Sequence, residues 1–152
     1  MHFMRQMAYV LTALAALFTF NSSSYARGVA LCVEVGNNAK GYKTDVEYFL
    51  RWGGDPETTG RDVQKAARHD QSLEYSGTAS CRNNERYFLD GGWFVVIKAE
   101  RSNRTTGRKS TYALGYGQDH ASAVLNAIEE LKRRDWSWRR EHGYIIDTSK
   151  AF

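Results

Sequence analysis

Alternation of apolar residues with small or polar ones predicts a strand near the start of the folded domain. Val29, Leu31, Val33 and Val35 fall on one side of an extended chain, and Cys32 falls on the other. The glycine and two asparagines that follow are typical of a turn. The pattern therefore predicts one strand with a single buried face, followed by a change of direction.

Two short helices are expected next. Residues 44–47 (Thr-Asp-Val-Glu) have the sequence of a capping box, although the Val, Tyr and Phe around them suit a strand equally well. The stretch 55–60 holds the only proline and is predicted to be a loop. A weak helix is predicted over 61–69, with its small apolar residues facing inward. Residues 72–84 are mostly polar and are predicted to be irregular.

A meander is the best-defined part of the pattern. Two runs, 86–89 and 93–97, flank Asp-Gly-Gly, which is a strong hairpin signal. The second run is apolar on both faces, so its strand is expected in the middle of a sheet. A longer turn at 102–107 and a strand at 110–116 complete three strands.

An amphipathic helix is predicted after the meander. Asp119 is a good N-cap, and Glu129 and Glu130 lie four residues before Arg133 and Arg134, the favourable orientation for ion pairs. The helix is expected to continue to about residue 140, ahead of a final strand at 144–146. Its apolar stripe consists of Ala123, Val124, Ala127, Ile128 and Leu131.

This order of elements predicts an α+β fold. A small antiparallel sheet would contain the three-stranded meander together with the N- and C-terminal strands. The C-terminal helix would pack on one face of that sheet, and one disulfide would hold the domain together. Residues 27–152 suffice for a single domain with a modest core.

The first 26 residues have the pattern of a cleavable secretory signal. Arg5 precedes an apolar run, 7–20, and Ser24-Tyr25-Ala26 offers small residues where a signal peptidase cuts. The run has about 14 residues, too short for a membrane span, which needs about 20. We therefore expect cleavage after Ala26, no membrane span afterwards, and a protein that is secreted or periplasmic.

The two cysteines are expected to form a disulfide. Cys32 and Cys81 both lie in the expected mature domain, and an exported chain with two cysteines most simply oxidises them to one bond. A loop of this length would stabilise the domain by about 4 kcal/mol in the chain-entropy model. A reactive thiol is the alternative.

Positive charge and aromatic residues concentrate near the C-terminus. The formal charge of the chain is +4, a modest excess that permits an acidic partner. Residues 132–140 hold five cations and two tryptophans, a composition suited to phosphates, glycan faces or an anionic membrane. Alternatively, the cations stabilise a helix end and Trp138 extends the core. The candidate binding surface consists of Arg133, Arg134, Trp136, Trp138, Arg139 and Arg140.

No catalytic, metal or cofactor motif is found in the sequence. The histidines lack the spacing of zinc ligands, and Gly115 and Gly117 fit a turn from strand to helix better than a phosphate site. A second basic stretch, 98–109, surrounds the turn of the meander and fits protection of strand edges. His120 or His142 could act as a general base in a hydrolase.

Residues 92–131, with a hairpin, a third strand, Gly-Tyr-Gly and a helix that contains Ala123 and Ala127, resemble the second half of a double-stranded-RNA-binding domain. That family places basic residues just after the helix cap, where this chain has His120 and Ala121. Nucleic acid is therefore not the partner that the sequence indicates.

The pattern as a whole favours a non-enzymatic exported domain. It would act as a binding or inhibitory module, with a protein or an anionic envelope component as its partner. A small secreted hydrolase acting on an envelope or nucleic-acid substrate is the alternative.

Overall fold

The computed structural model describes residues 27–74, 78–83 and 91–151, and the expected signal, residues 1–26, lies outside that part of the chain. Within it, the strands are β1 (Val29–Asn37), β2 (Lys43–Trp52), β3 (Thr78–Asn83), β4 (Trp93–Asn103), β5 (Gly107–Gly117) and β6 (Ile145–Ala151). The helices there are α1 (Pro56–Glu74) and α2 (His120–Arg134), and a 3-10 helix spans Arg140–His142.

The strands form two antiparallel sheets that pack face to face. The first sheet has the order β2-β1-β3, and the second has the order β5-β4-β6. α1 covers the outer face of the first sheet and α2 that of the second. The α+β class and the helix packed on an antiparallel sheet are confirmed. Neither helix, among the residues described, is long and apolar enough to cross a membrane.

The prediction of a single sheet is wrong, because β1 pairs with β2 and β3 and packs against the second sheet through one of its two buried faces. Leu31 and Val33 pack toward the second sheet, while Ala30 and Cys32 pack against α1. Both sets are fully buried. The small size of Ala30 and Cys32 lets α1 approach closely. β1 is therefore the central strand of its own sheet.

The core between the sheets explains why β4 is apolar on both faces. Phe94 and Val96 face the first sheet, whereas Val95 and Ile97 face α2. All four are fully buried. Each such side chain contributes about 1.5–3 kcal/mol of transfer free energy. As predicted, β4 is central in its sheet, between β5 and β6. The strand expected at 86–89 lies outside the described residues.

Residues 44–50 form part of β2, so the helix predicted there is wrong. β2 runs antiparallel to β1, with Leu31 opposite Leu50. The side chain of Asn38 builds the connecting turn, since its Oδ1 accepts two backbone N–H groups at 2.9 and 3.0 Å. Pairing with β1 and the strand preference of Val, Tyr and Phe override the capping-box sequence.

α1 confirms the helix predicted over 61–69, but it begins earlier and ends later. Residues 56–60, which were predicted to lie in a loop, form the start of α1. Asp55 accepts the backbone N–H of Thr58 at 3.0 Å, and Pro56 occupies the first helical position, where no N–H is needed. The stretch 72–84, predicted to be irregular, contains the end of α1 and all of β3.

α2 begins as predicted but ends sooner. The carboxylate of Asp119 accepts the backbone N–H of Ser122 at 2.7 Å and caps the helix. The last helical residue is Arg134, and Asp135 is the C-cap, so the expected extension to Arg140 is wrong. The final predicted strand is confirmed as β6, which is longer than expected.

The salt bridges on the outer face of α2 have a different spacing from the one expected. Lys132 pairs with Glu129 at 2.6 Å, and Arg133 pairs with Glu130 at 3.2 Å, both three residues apart. At least one side chain of each pair is exposed to solvent, so the pairs contribute little to stability.

Gly115 and Gly117 bring α2 close to β5. A methyl group at Gly115 would lie 2.1 Å from the backbone nitrogen of Ala127 and 2.3 Å from the carbonyl oxygen of Ala123. One at Gly117 would lie 2.7 Å from Cβ of Ser122. The two glycines therefore allow α2 to pack closely on β5, in addition to fitting the turn from strand to helix that the sequence predicts.

Candidate functional site

An open groove separates α2 from the C-terminal segment, and we call it the α2 groove. Its volume is about 720 Å³. Val124, Leu125 and Ile128 form one wall, and Trp138, Tyr144 and Ile146 form the other. A concave, mostly apolar site of this size is typical of ligand-binding sites.

The α2 groove exists because α2 covers only part of the second sheet. Ile97 of β4 is fully buried under α2, whereas its direct partner on β6, Ile146, is 44% exposed. Leu125, on the outer side of α2, is 58% exposed. The groove therefore presents apolar side chains to solvent, and such patches mark interaction sites when they are contiguous.

A cationic hollow of about 300 Å³ continues the groove at the C-terminal end of α2, and we call it the basic end. Its lining consists of Lys132, Trp136, Trp138, Arg139 and Arg140. Trp138 and Arg140 line both spaces, so the two are continuous. No carboxylate is among the described residues that line either space. The site therefore combines an apolar groove with a positive end.

A tight turn after α2 separates the two tryptophans of the basic end. The Oγ of Ser137 donates to Asp135 at 2.7 Å, and the backbone N–H of Trp138 donates to the carbonyl oxygen of Asp135 at 2.9 Å. This turn leaves Trp136 83% exposed and buries Trp138, whose indole N–H donates to the carbonyl of Gly143 at 3.0 Å. One tryptophan belongs to the surface and the other to the core.

The carboxylate of Asp135 anchors this turn to the second sheet. It is buried and accepts Nε and Nη2 of Arg101 at 2.7 and 3.1 Å. Burial alone would raise the pKa of Asp135, but the hydrogen bonds from Arg101 and Ser137, with the charge of Lys109, outweigh it and lower that pKa. The charged carboxylate therefore holds the turn firmly at neutral pH.

The six residues predicted as a binding surface divide into two groups. Trp136, Arg139 and Arg140 line the basic end, and Arg133 is exposed beside it on α2. Trp138 is part of the core around α2. The side chain of Arg134 is 8% exposed, so four of the six residues lie at the surface and two do not. Trp138 and Arg134 maintain the fold beneath that surface.

Arg134 faces the first sheet. Its guanidinium donates to the carbonyl of Tyr112 at 2.7 Å and pairs with Asp45 at 3.2 Å. Both side chains of this ion pair are less than a tenth exposed. Burial lowers the pKa of Arg134, and the charge of Asp45 opposes that change.

Sequence reasoning missed the apolar half of the site. Leu125 lies outside the predicted stripe of α2, and Ile146 had no role beyond its strand. An apolar residue on the exposed face of an amphipathic helix is the signal that Leu125 offers. The exposure of Ile146 depends on which strands α2 covers, and no local pattern reports that.

The second basic stretch is partly neutralised by acidic residues, as Lys132 of the basic end is by Glu129. Lys98 pairs with Glu100 at 2.7 Å, and Arg108 also contacts Glu100. Hydrogen bonds from Lys98 and Arg108 lower the pKa of Glu100 to about 2. Arg101 is bound to Asp135. Pairing with Glu100 and Asp135 therefore reduces the positive charge of this stretch without removing it.

The two histidines considered as a catalytic base take part in separate contacts. The ring of His120 packs edge-on against Trp93 at a centroid distance of 5.2 Å. Nδ1 of His142 accepts the backbone N–H of Arg139 at 2.8 Å within the 3-10 helix. That bond uses the lone pair that a general base would need at Nδ1.

Comparisons with protein-family models, with curated proteins and with solved structures give no match for this chain.

Proposed function

We propose that this protein is an exported binding or inhibitory module whose docking surface is the α2 groove with its basic end. The observation that supports this proposal is the continuity of the two spaces through Trp138 and Arg140. An apolar surface that ends in cations suits a ligand with an apolar part and a negative part. A protein or an anionic envelope component could supply both.

The geometry favours binding over hydrolysis. His120 lines the groove but packs against Trp93, and His142 is occupied at Nδ1 by the Arg139 amide. A general base has to reach the proton that it removes, and these contacts direct both rings toward structural roles.

Photo-crosslinking in the producing cells tests this proposal. A benzophenone amino acid replaces Leu125, which is 58% exposed in the groove. The matched control carries the same group at Lys65, an exposed position on α1 at the opposite side of the molecule. We expect an adduct at position 125 that position 65 does not give.

The chemical nature of that adduct identifies the ligand class by mass spectrometry. Equal labelling from both positions, or none from position 125 in a folded protein, would contradict a docking role for the groove. Addition of salt before irradiation should lower the yield of an adduct whose formation depends on binding to the cations of the basic end.

We also propose that export removes residues 1–26 and that Cys32 and Cys81 form a disulfide. Antiparallel pairing places the two residues directly opposite each other on β1 and β3. Opposite Cα atoms in such a ladder are about 4.5–5.5 Å apart, within the range that a disulfide spans. The side chain of Cys81 lies outside the described residues.

The intact mass of the protein isolated from the cell envelope tests both parts. We expect a chain that begins at Arg27 and has two hydrogens fewer than its reduced form. Alkylation without reductant should leave Cys32 unlabelled, and alkylation after reduction and unfolding should label both cysteines. Labelling of both in unfolded, unreduced protein would show that no disulfide exists.

A further inference from the structure

We propose that the basic end docks on an anionic lipid bilayer, with Trp136 as its interfacial anchor. This inference rests on the proposed function and names the partner of the same surface. Two features carry it, namely the arginines Arg139 and Arg140, which form no ion pair with a carboxylate of the described residues, and a tryptophan that the fold exposes to solvent.

The cations of this surface can act together on a negative plane. Lys132, Arg139 and Arg140 line the basic end, and the side chain of Arg133, beside it, is 74% exposed. Each cation near an anionic leaflet contributes about 1 kcal/mol of attraction. Lys132 and Arg133 pair with Glu129 and Glu130, so most of this attraction comes from Arg139 and Arg140. In the second basic stretch, Glu100 and Asp135 pair with Lys98, Arg101 and Arg108 in the same way.

The exposure of Trp136 is imposed by its turn. The Asp135 carboxylate, fixed by Arg101, sets the turn, and Nη1 of Arg139 donates to the carbonyl of Trp136 at 2.9 Å. With its backbone held in this way, the indole is 83% exposed among cations. Tryptophan prefers the headgroup region of a bilayer, where its ring is partly buried and its N–H is hydrated.

Exposed aliphatic residues continue this surface along the groove. Leu125 is 58% exposed, and Ile146, across the groove, is 44% exposed. Amphipathic membrane-binding surfaces combine cations, tryptophan and aliphatic residues in this way. Protein–protein interfaces are depleted of Lys but enriched in Trp and Arg, so an acidic protein is the competing partner that the test has to distinguish. The argument for a bilayer is the combination of exposed arginines, an exposed tryptophan and exposed aliphatic side chains on one surface.

Vesicle co-sedimentation tests the proposal. The protein as isolated, with its N-terminus established by mass, is mixed with vesicles of phosphatidylcholine alone or with one third phosphatidylglycerol. We expect binding to the anionic vesicles that falls as salt rises, and little binding to the neutral ones. Circular dichroism verifies that each variant is folded.

Two variants and a charge-matched control locate the binding surface. R139Q/R140Q should weaken binding to anionic vesicles by about 30-fold, the loss expected for two cations. W136A should weaken it by about tenfold, because the anchor is lost while the fold is kept. The control K65Q/R68Q removes the same charge from exposed positions on α1 and should change binding by less than about twofold.

Absence of binding to anionic vesicles would overturn this inference, and so would equal losses in R139Q/R140Q and K65Q/R68Q. A protein adduct at position 125 in the crosslinking experiment, without vesicle binding, would overturn the bilayer and leave the proposed binding function intact. Equal binding to neutral vesicles by every variant would also overturn it.

Discussion

Replacing Gly115 with alanine is expected to destabilise the domain by about 3 kcal/mol, the upper part of the usual range for an overpacked core. The added methyl would lie 2.1 Å from the backbone nitrogen of Ala127 and 2.3 Å from the carbonyl oxygen of Ala123. No side-chain rotation relieves contacts with backbone atoms, so α2 has to move away from β5. Urea unfolding measures the change, with the slope of the transition as a check on two-state behaviour.

The sign of the change in unfolding free energy shows whether close packing of α2 on β5 outweighs the general advantage of alanine over glycine in a strand. Alanine normally stabilises a strand position relative to glycine by reducing the entropy of the unfolded chain. A stabilising or neutral result for G115A would contradict the close contact between α2 and β5. The double variant G115A/A127G should not recover stability, since the contacts involve the backbone of Ala127 rather than its methyl group. G117A, which meets Cβ of Ser122 at 2.7 Å, should cost less.

Elements with strong local signals could be predicted from the sequence. The N-cap of α2, its apolar stripe and the central position of β4 each depend on a pattern within about 15 residues, and the structure confirms them. β2 shows where such signals conflict. A capping-box sequence and strand-forming residues overlap at 44–50, and only pairing with β1 decides between them.

The division into two sheets could not be predicted in this way. It depends on the burial of Ala30 and Cys32 under α1, a contact between elements far apart in sequence. Period-two alternation reports which residues share a face, but it does not report what covers that face. The α2 groove could not be predicted for the same reason, because its exposed wall depends on how far α2 extends across the second sheet.

Composition predicted the candidate surface, but the turn after α2 decides which of its residues are exposed. Trp136 and Trp138 lie on either side of Ser137 in the sequence, yet the first is 83% exposed and the second 3% exposed. Trp138 is buried, as the core alternative proposed, but it lies beyond the end of α2 at Arg134. Asp135, the only acid among these residues, makes the difference by fixing the turn.

Replacing Asp45 with alanine is expected to destabilise the domain by about 3–5 kcal/mol, the cost of breaking a buried ion pair by removing one partner. Its carboxylate pairs with Arg134 at 3.2 Å and accepts the backbone N–H of Tyr112 at 2.8 Å. D45A would leave the guanidinium of Arg134 buried beside no counter-charge, and the outer edge of β5 without its acceptor. Denaturant unfolding of D45A against the unaltered protein measures the loss.

A double-mutant cycle shows whether the buried charge causes this loss. R134M removes the guanidinium and keeps an apolar side chain, so D45A/R134M should be more stable than the sum of the two single changes predicts, by at least about 1 kcal/mol. E57A is the matched control, because Glu57 pairs with Arg61 on exposed α1 and its loss should cost no more than about 0.5 kcal/mol. Additivity in the cycle would show that Asp45 acts through the Tyr112 amide alone. A loss in D45A no larger than that in E57A would contradict the buried contact between α2 and the first sheet.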